Sequence, residues 1–294
     1  MSFAHTPYDG SKQPFAIGMT PMDPADWIEP DAHLARDLAE KDALLTTRRA
    51  TVFAEEPDSR PAQAETLALL VPHLLARFPD LYAREGEAVR VGGRAAPLAG
   101  DAPLLLASRL VQEDLVLMAR GPTGWRLSAA SLCFPSTWSL AEKFGRDMAA
   151  IHADVPGFPG RMGEIVARIF DNLRPGQPVE RLNWSIYGDD RLHHPESKSD
   201  PHERFPPDAP VLARATIRVE RQTLTRLPGT GAILFTIRVF VDPLAALARH
   251  PRGATLAQGL RAQLLALTPD QLAYKGLVEA RERLAEALAG LAAT

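Results

Sequence analysis

ARATIRVERQTLTRLPGTGAILFTIRVFV, residues 213–241, is the stretch that decides how this chain folds. Residues 213–227 alternate in character, the turn Pro228-Gly-Thr-Gly231 follows, and 232–241 resume an apolar strand pattern, so the segment predicts an antiparallel hairpin. The alternation places Ile217, Val219, Arg221 and Thr223 on one face and Arg218, Glu220, Gln222 and Leu224 on the other. Arg221 therefore falls on the more apolar face. Desolvating a guanidinium is costly unless it is paired. Two readings follow: a buried salt bridge, or a fixed cation that orients a carboxylate or hydrogen-bonds a bound oxygen species.

Working outward, Arg181–Tyr187 (RLNWSIY) alternates as a third strand. Asp114–Arg120, the turn Gly121–Gly124 and Trp125–Phe134 form an earlier hairpin. Between the hairpin and the last three strands lies SLCFPSTWSLAEKFGRDMAAIHADVPG, residues 131–157, with a helix predicted from a Ser136 or Ser139 cap to Val155-Pro156-Gly157. A second helix is expected over Gly160–Leu173. Two strands, a helical middle and three strands make an α+β fold, with a PAS-like antiparallel sheet whose helices lie over one face and leave a ligand pocket beneath them. The expected organisation is an N-terminal arm with helices (about 31–46 and 62–78) over 1–80, a core over 81–243 and a helical extension over 244–294. The segment 46–62 reads as a loop. Glu87–Arg94 reads as a short strand, and Leu104–Val111 as a short helix. The alanine- and leucine-rich segments near 243–250, 254–266 and 269–291 are amphipathic and should pack on the domain or on another subunit.

The histidine at the exit of the 136–155 helix carries the functional question. Leu140, Phe144, Met148 and Ile151 make a core-facing stripe, and His152 falls beside it with Ala141, Gly145 and Ala149. Glycine within a helix costs about 1 kcal/mol against alanine, so the small residues suggest something flat lying there. The plainer alternative is a helix C-terminus that favours a histidine. Cys133 reads as a buried thiol, with thiolate ligation of iron as the alternative. The loop 188–210 holds His193, His194 and His202, whose spacing fits no compact zinc pattern. Its Glu196 would attract an amine if the loop folds over the pocket.

The chain has 294 residues, a net charge of −3 and one cysteine. This balance leaves no basic footprint for nucleic acid. No apolar run is long enough to span a bilayer, and the N-terminus lacks the order of a signal peptide, so a cytoplasmic protein without membrane partners is expected. One cysteine excludes an internal disulfide and a cysteine-held iron–sulfur cluster. Any electrons must therefore come from a cofactor or partner.

Gln112-Glu113-Asp114-Leu115, CFPSTW at 133–138, IHADVP at 151–156, Asn183-Trp184 and above all RVERQTLTRLPGTGAILFTIR at 218–238 resemble the heme-dependent oxidative N-demethylase family, from about Phe15 to about Pro243. The resemblance implies a PAS-related catalytic fold, heme b as cofactor, dioxygen as oxidant and a small secondary or tertiary methylamine (dimethylamine-like) as substrate, releasing formaldehyde. It also implies electrons from a separate flavin and iron–sulfur reductase using NADPH. On this resemblance His152 is the axial iron ligand, Arg221 the distal catalytic group and Glu196 the carboxylate that holds the amine, with Glu220 as its alternative. A non-catalytic heme-binding PAS-type sensor or binding module is the rival. The helices after about His250 lie outside the resemblance.

Overall fold

The computed structural model describes residues 3–11, 13–197, 205 and 210–293. In chain order the strands are β1 (Thr20–Pro21), β2 (Phe53–Glu55), β3 (Ala83–Glu85), β4 (Ala88–Val91), β5 (Arg94–Pro97), β6 (Asp114–Gly121), β7 (Gly124–Ser131), β8 (Val179–Tyr187), β9 (Thr216–Arg226) and β10 (Ile233–Pro243). Seven of them form one antiparallel sheet in the order β1-β8-β9-β10-β6-β7-β2. The two hairpins are as expected, β6–β7 and β9–β10, and β10 closes the sheet by pairing with β6 (Phe235↔Val116). The fold is α+β, and its five long strands follow the predicted order of two strands, helices, then three strands. The segment 46–62 is more ordered than its sequence suggests. It holds a helical turn at Arg49–Val52 and then β2, which pairs with β7 at the sheet edge.

The buried apolar residues form two clusters. In one, Leu115 and Leu117 on one face of the sheet and Leu127, Leu224 and Ile237 on the other pack with helices Leu34–Thr47 and Arg60–Arg77 and with the segment between the hairpins. In the other, Trp184, Ile186, Ile217, Val219 and Phe240, on the same face as Leu115 and Leu117, pack against helices Gly253–Ala266 and Arg281–Ala292, whose Leu256, Leu260, Leu264, Leu284 and Leu288 are fully buried. Period-2 alternation in β8 and β9 therefore turns one set of side chains to the C-terminal helices and the other to the opposite face. The C-terminal extension is divided further than expected: Pro269–Lys275 ends at Gly276, in the left-handed conformation at φ +64°, before Arg281–Ala292 begins.

The helix predicted over 136–155 is two short helices, Leu140–Lys143 and Met148–Ile151. Ser139 caps the first in a reciprocal capping box with Glu142, and Asp147 caps the second through the Ala150 amide. Between them Gly145 adopts φ +72°, and the chain bonds to β7: Gly145 N–H donates to the Leu127 carbonyl, and Leu127 N–H to the Arg146 carbonyl. The glycine is there for its backbone angle, not to admit a flat group.

Candidate active site

The helical segment between β7 and β8 arches over one face of β8–β10 and β6–β7 and encloses a cavity, of which about 260 Å³ lies more than a water radius clear of any wall. Its apolar part is built from Val116, Met118, Leu127, Leu224, Phe235 and Ile237 of the sheet and from Met148, Ile151 and Phe158 above it. Its polar part follows from strand register. Arg181 pairs across with Gln222, Asn183 with Glu220 and Ser185 with Arg218, so the polar positions of β8 and β9 share the cavity face. Phe15, Ile17 and Met19 of the N-terminal arm and Tyr274 and Lys275 of the C-terminal extension complete the wall. Among the described residues, the two non-glycine ones with positive φ, Phe15 (61°) and Thr137 (62°), both line it. Such backbone conformations are retained where surrounding contacts over-determine them.

His152 is on this wall, at the C-cap of Met148–Ile151. Its Nδ1 is 2.9 Å from the Met148 carbonyl. A carbonyl can only accept, so Nδ1 carries the proton and the Nε2 lone pair is left for a ligand. The ring stacks on Phe158, with centroids 4.2 Å apart and planes 11° off parallel. Burial lowers its pKa to about 4, with the Lys143 and Arg181 charges acting in the same direction against the Met148 bond. At neutral pH the imidazole is therefore neutral, as a metal ligand requires.

Glu220 lies on the sheet wall with both oxygens held: Ser136 Oγ–H donates to Oε1, and Gln222 Nε2 donates to Oε2 at 2.8 Å. Ser136 also accepts from Arg218 Nε at 2.8 Å. The remaining donors of Arg218 reach the carbonyls of Phe134, Pro135, Arg191 and Leu192. Asp114 accepts from the amides of Cys133 and Phe134. The QED and CFPSTW blocks thus fix the turn that leads into the His152 segment.

The structure does not bring the three predicted site residues together. Arg221 sits on the opposite face of the sheet and is absent from the cavity lining. It is buried, with Nε 2.7 Å from Glu180 and 3.4 Å from Glu29, and it donates to the Asp26 and Trp27 carbonyls. The salt-bridge reading describes this geometry: Arg221 pins the N-terminal arm to the sheet. Glu196 is half-buried near the cavity rim, beside Ser197, which does line the cavity; its carboxylate lies 3.8 Å from Arg191 and 3.6 Å from His194. His202 and much of the 188–210 loop lie outside the described residues, so the lid expectation for that loop does too. His193 donates to the Cys133 carbonyl, and no group of three metal-ligating side chains occurs among the described residues. Cys133 is fully buried, away from the cavity lining, and burial pushes its thiol up to about 12, which disfavours a thiolate.

Over residues 18–285 the chain matches the family described as haem-dependent oxidative N-demethylase, alpha subunit-like. It belongs to that family. The match runs past about Pro243, where the sequence resemblance ends, and takes in Tyr274 and Lys275 at the cavity. Lys275 is buried against the open edge of β8, donating to the Trp184 carbonyl at 2.5 Å and lying over the Phe15 and Trp184 rings. No helix among the described residues is long and apolar enough to cross a membrane.

The cavity fits the heme that the family description names. It offers one neutral histidine with its second nitrogen already engaged, apolar sheet and helix walls, and the cationic side chain of Arg181, whose Nε is buried without a hydrogen-bond partner. Arg181 is the residue that sequence reasoning missed. Its signal was present in RLNWSIY, where Arg181, Asn183 and Ser185 alternate as a polar face beside Glu220 and Gln222.

Proposed function

We propose that the chain is a heme-dependent monooxygenase that removes a methyl group from a small secondary or tertiary methylamine, releasing the demethylated amine and formaldehyde. The observation that carries this reading is His152: a neutral imidazole with Nδ1–H committed to the Met148 carbonyl, on the wall of a partly apolar cavity, in a chain of this family. Heme b, when bound, supplies the activation of dioxygen, with electrons from a separate flavin and iron–sulfur reductase drawing on NADPH.

The chain's own residues do the rest. His152 would hold the iron through Nε2, and its bond to Met148 fixes the tautomer and ring orientation. Glu220 takes the role of the amine-holding carboxylate in preference to Glu196, because it lines the cavity and is itself held by Ser136 and Gln222. A carboxylate held in this way can orient a methylammonium without reorganising. The Phe158, Met148 and Ile151 side chains exclude water above the sheet, as an oxidation in competition with solvent requires. Arg221 would act at a distance, by holding the arm that delivers Phe15, Ile17 and Met19 to the wall.

Absorption spectra of the oxidised and dithionite-reduced protein, parent and His152→Ala, followed by titration with dimethylamine, test this. A histidine-type spectrum that is lost in the variant and shifts with amine is expected, with formaldehyde released once reductant is supplied. A heme spectrum without formaldehyde would favour the sensor alternative. No heme after reconstitution with hemin would remove the reading.

A further inference from the structure

Four arginines lie buried or against the cavity along β8, β9 and β10, and three of them are held by carboxylates or carbonyls. Arg218 is held by four carbonyls and Ser136, Arg221 by Glu180 and Glu29, and Arg238 by Asp31 and Asp37. Arg181 is the exception. It lines the cavity, its Nε is buried without a partner, and no carboxylate lies within ion-pair distance among the described residues. Glu220, on the neighbouring strand, attracts it, but both Glu220 oxygens are already engaged. An unpaired guanidinium inside a protein is costly, and that cost is relieved by an anion that can accept its parallel N–H bonds.

We propose that Arg181 is a carboxylate receptor built into the cavity, facing a ligand that also lies beside Glu220. Two sources present that chemistry at this place: a propionate of the heme, and the carboxylate of an N-methylated amino acid whose ammonium Glu220 would hold. The second gives the substrate class a specific form, a zwitterion read by a cation and an anion on adjacent strands. The assignment of sources rests on the heme reading above; the carboxylate site itself rests on the geometry of Arg181.

The test compares the parent with Arg181→Gln in two pairs of titrations. Hemin is set against hemin dimethyl ester, which lacks free propionates, by absorption; N,N-dimethylglycine is set against dimethylamine by calorimetry, on the protein with and without hemin. Each result is a preference within one protein, so a general loss of stability in the variant cancels. If the propionate is the ligand, the parent prefers hemin to its ester by about ten- to a hundredfold and Arg181→Gln removes the preference. If the substrate carries the carboxylate, the parent prefers dimethylglycine to dimethylamine by a similar factor and the variant removes that preference instead. Both preferences unchanged in the variant would overturn the site, while a His152-dependent heme spectrum in the same samples would leave the heme reading standing. If the parent binds neither hemin nor its ester, the heme reading fails and the calorimetry without hemin decides Arg181: a dimethylglycine preference lost in the variant supports the site, and none overturns it.

Discussion

Leu182 pairs with Arg221 and Arg181 with Gln222, so the two arginines sit one register step apart on opposite faces of the same two strands. Their surroundings make opposite predictions. Removing Arg221 leaves Glu180 and Glu29 without their cation and frees the Asp26 and Trp27 carbonyls. Because both carboxylates are partly exposed, Arg221→Gln should cost about 2–3 kcal/mol, at or below the bottom of the range of about 3–5 kcal/mol for breaking a fully buried pair. Arg181→Gln breaks no pair, and urea denaturation should place it within about 1 kcal/mol of the parent, on the stabilised side. Equal losses in the two variants would contradict this account of the sheet. The difference was only half legible in the sequence. Strand alternation placed Arg221 correctly on the face opposite Glu220 and Gln222, but apolar neighbours on the Arg221 face suggested a pocket. That face is apolar because its Trp184 and Val219 pack on the C-terminal helices, while the pocket face is the one with Asn183, Glu220 and Gln222. Which layer is a core and which a cavity depends on distant segments.

At the level of elements, the hairpins could be read because period-2 alternation and glycine turns are local signals. The His152 segment could not, since Gly145 breaks its helix by bonding to Leu127 of β7, a partner that helical periodicity does not register. Two substitutions separate the local from the non-local contribution. Ser139→Ala removes the capping box and should cost about 1 kcal/mol. Gly145→Ala places a Cβ on a φ of +72° with no close contact beyond Glu56 at 3.9 Å. Its cost is then conformational, about 1–2 kcal/mol, and it strains the link that sets the position of Met148–Ile151. Hemin affinity should fall in Gly145→Ala by more than its loss of stability explains, and in Ser139→Ala only in proportion. Proportional losses in both would mean that the left-handed break has no part in presenting His152.

For the whole molecule, buried titratable groups on both sides of the sheet set the response to acid. His152 lines the cavity, and His194, fully buried on the Tyr187 ring, lies 3.2 Å from Asp189 and 3.6 Å from Glu196. Burial lowers both to about 4, with Arg218 next in effect on His194. A histidine lowered in the folded state binds its proton more readily when unfolded. Its contribution is therefore complete above about pH 6.5 and is lost as pH falls toward 4. Asp242 works the other way: burial raises it to about 6, so the folded state holds that proton and stability is lost as pH rises from about 4 through 6. Between pH 6.5 and 4 two groups weaken the fold on acidification and one strengthens it, and the urea midpoint of the parent should decline by the difference. Asp242→Asn, which removes the opposing group, should steepen the decline, and His194→Gln should flatten it. Because the proposed ligand His152 would bind iron only as the neutral imidazole, hemin binding should also fall as pH drops through about 4, in His194→Gln as in the parent. A parent midpoint that stays level over this range, with Asp242→Asn no steeper, would show that these burials do not govern the acid response. A hemin affinity that follows His194 instead would show that the loop, and not the cavity histidine, titrates with the cofactor.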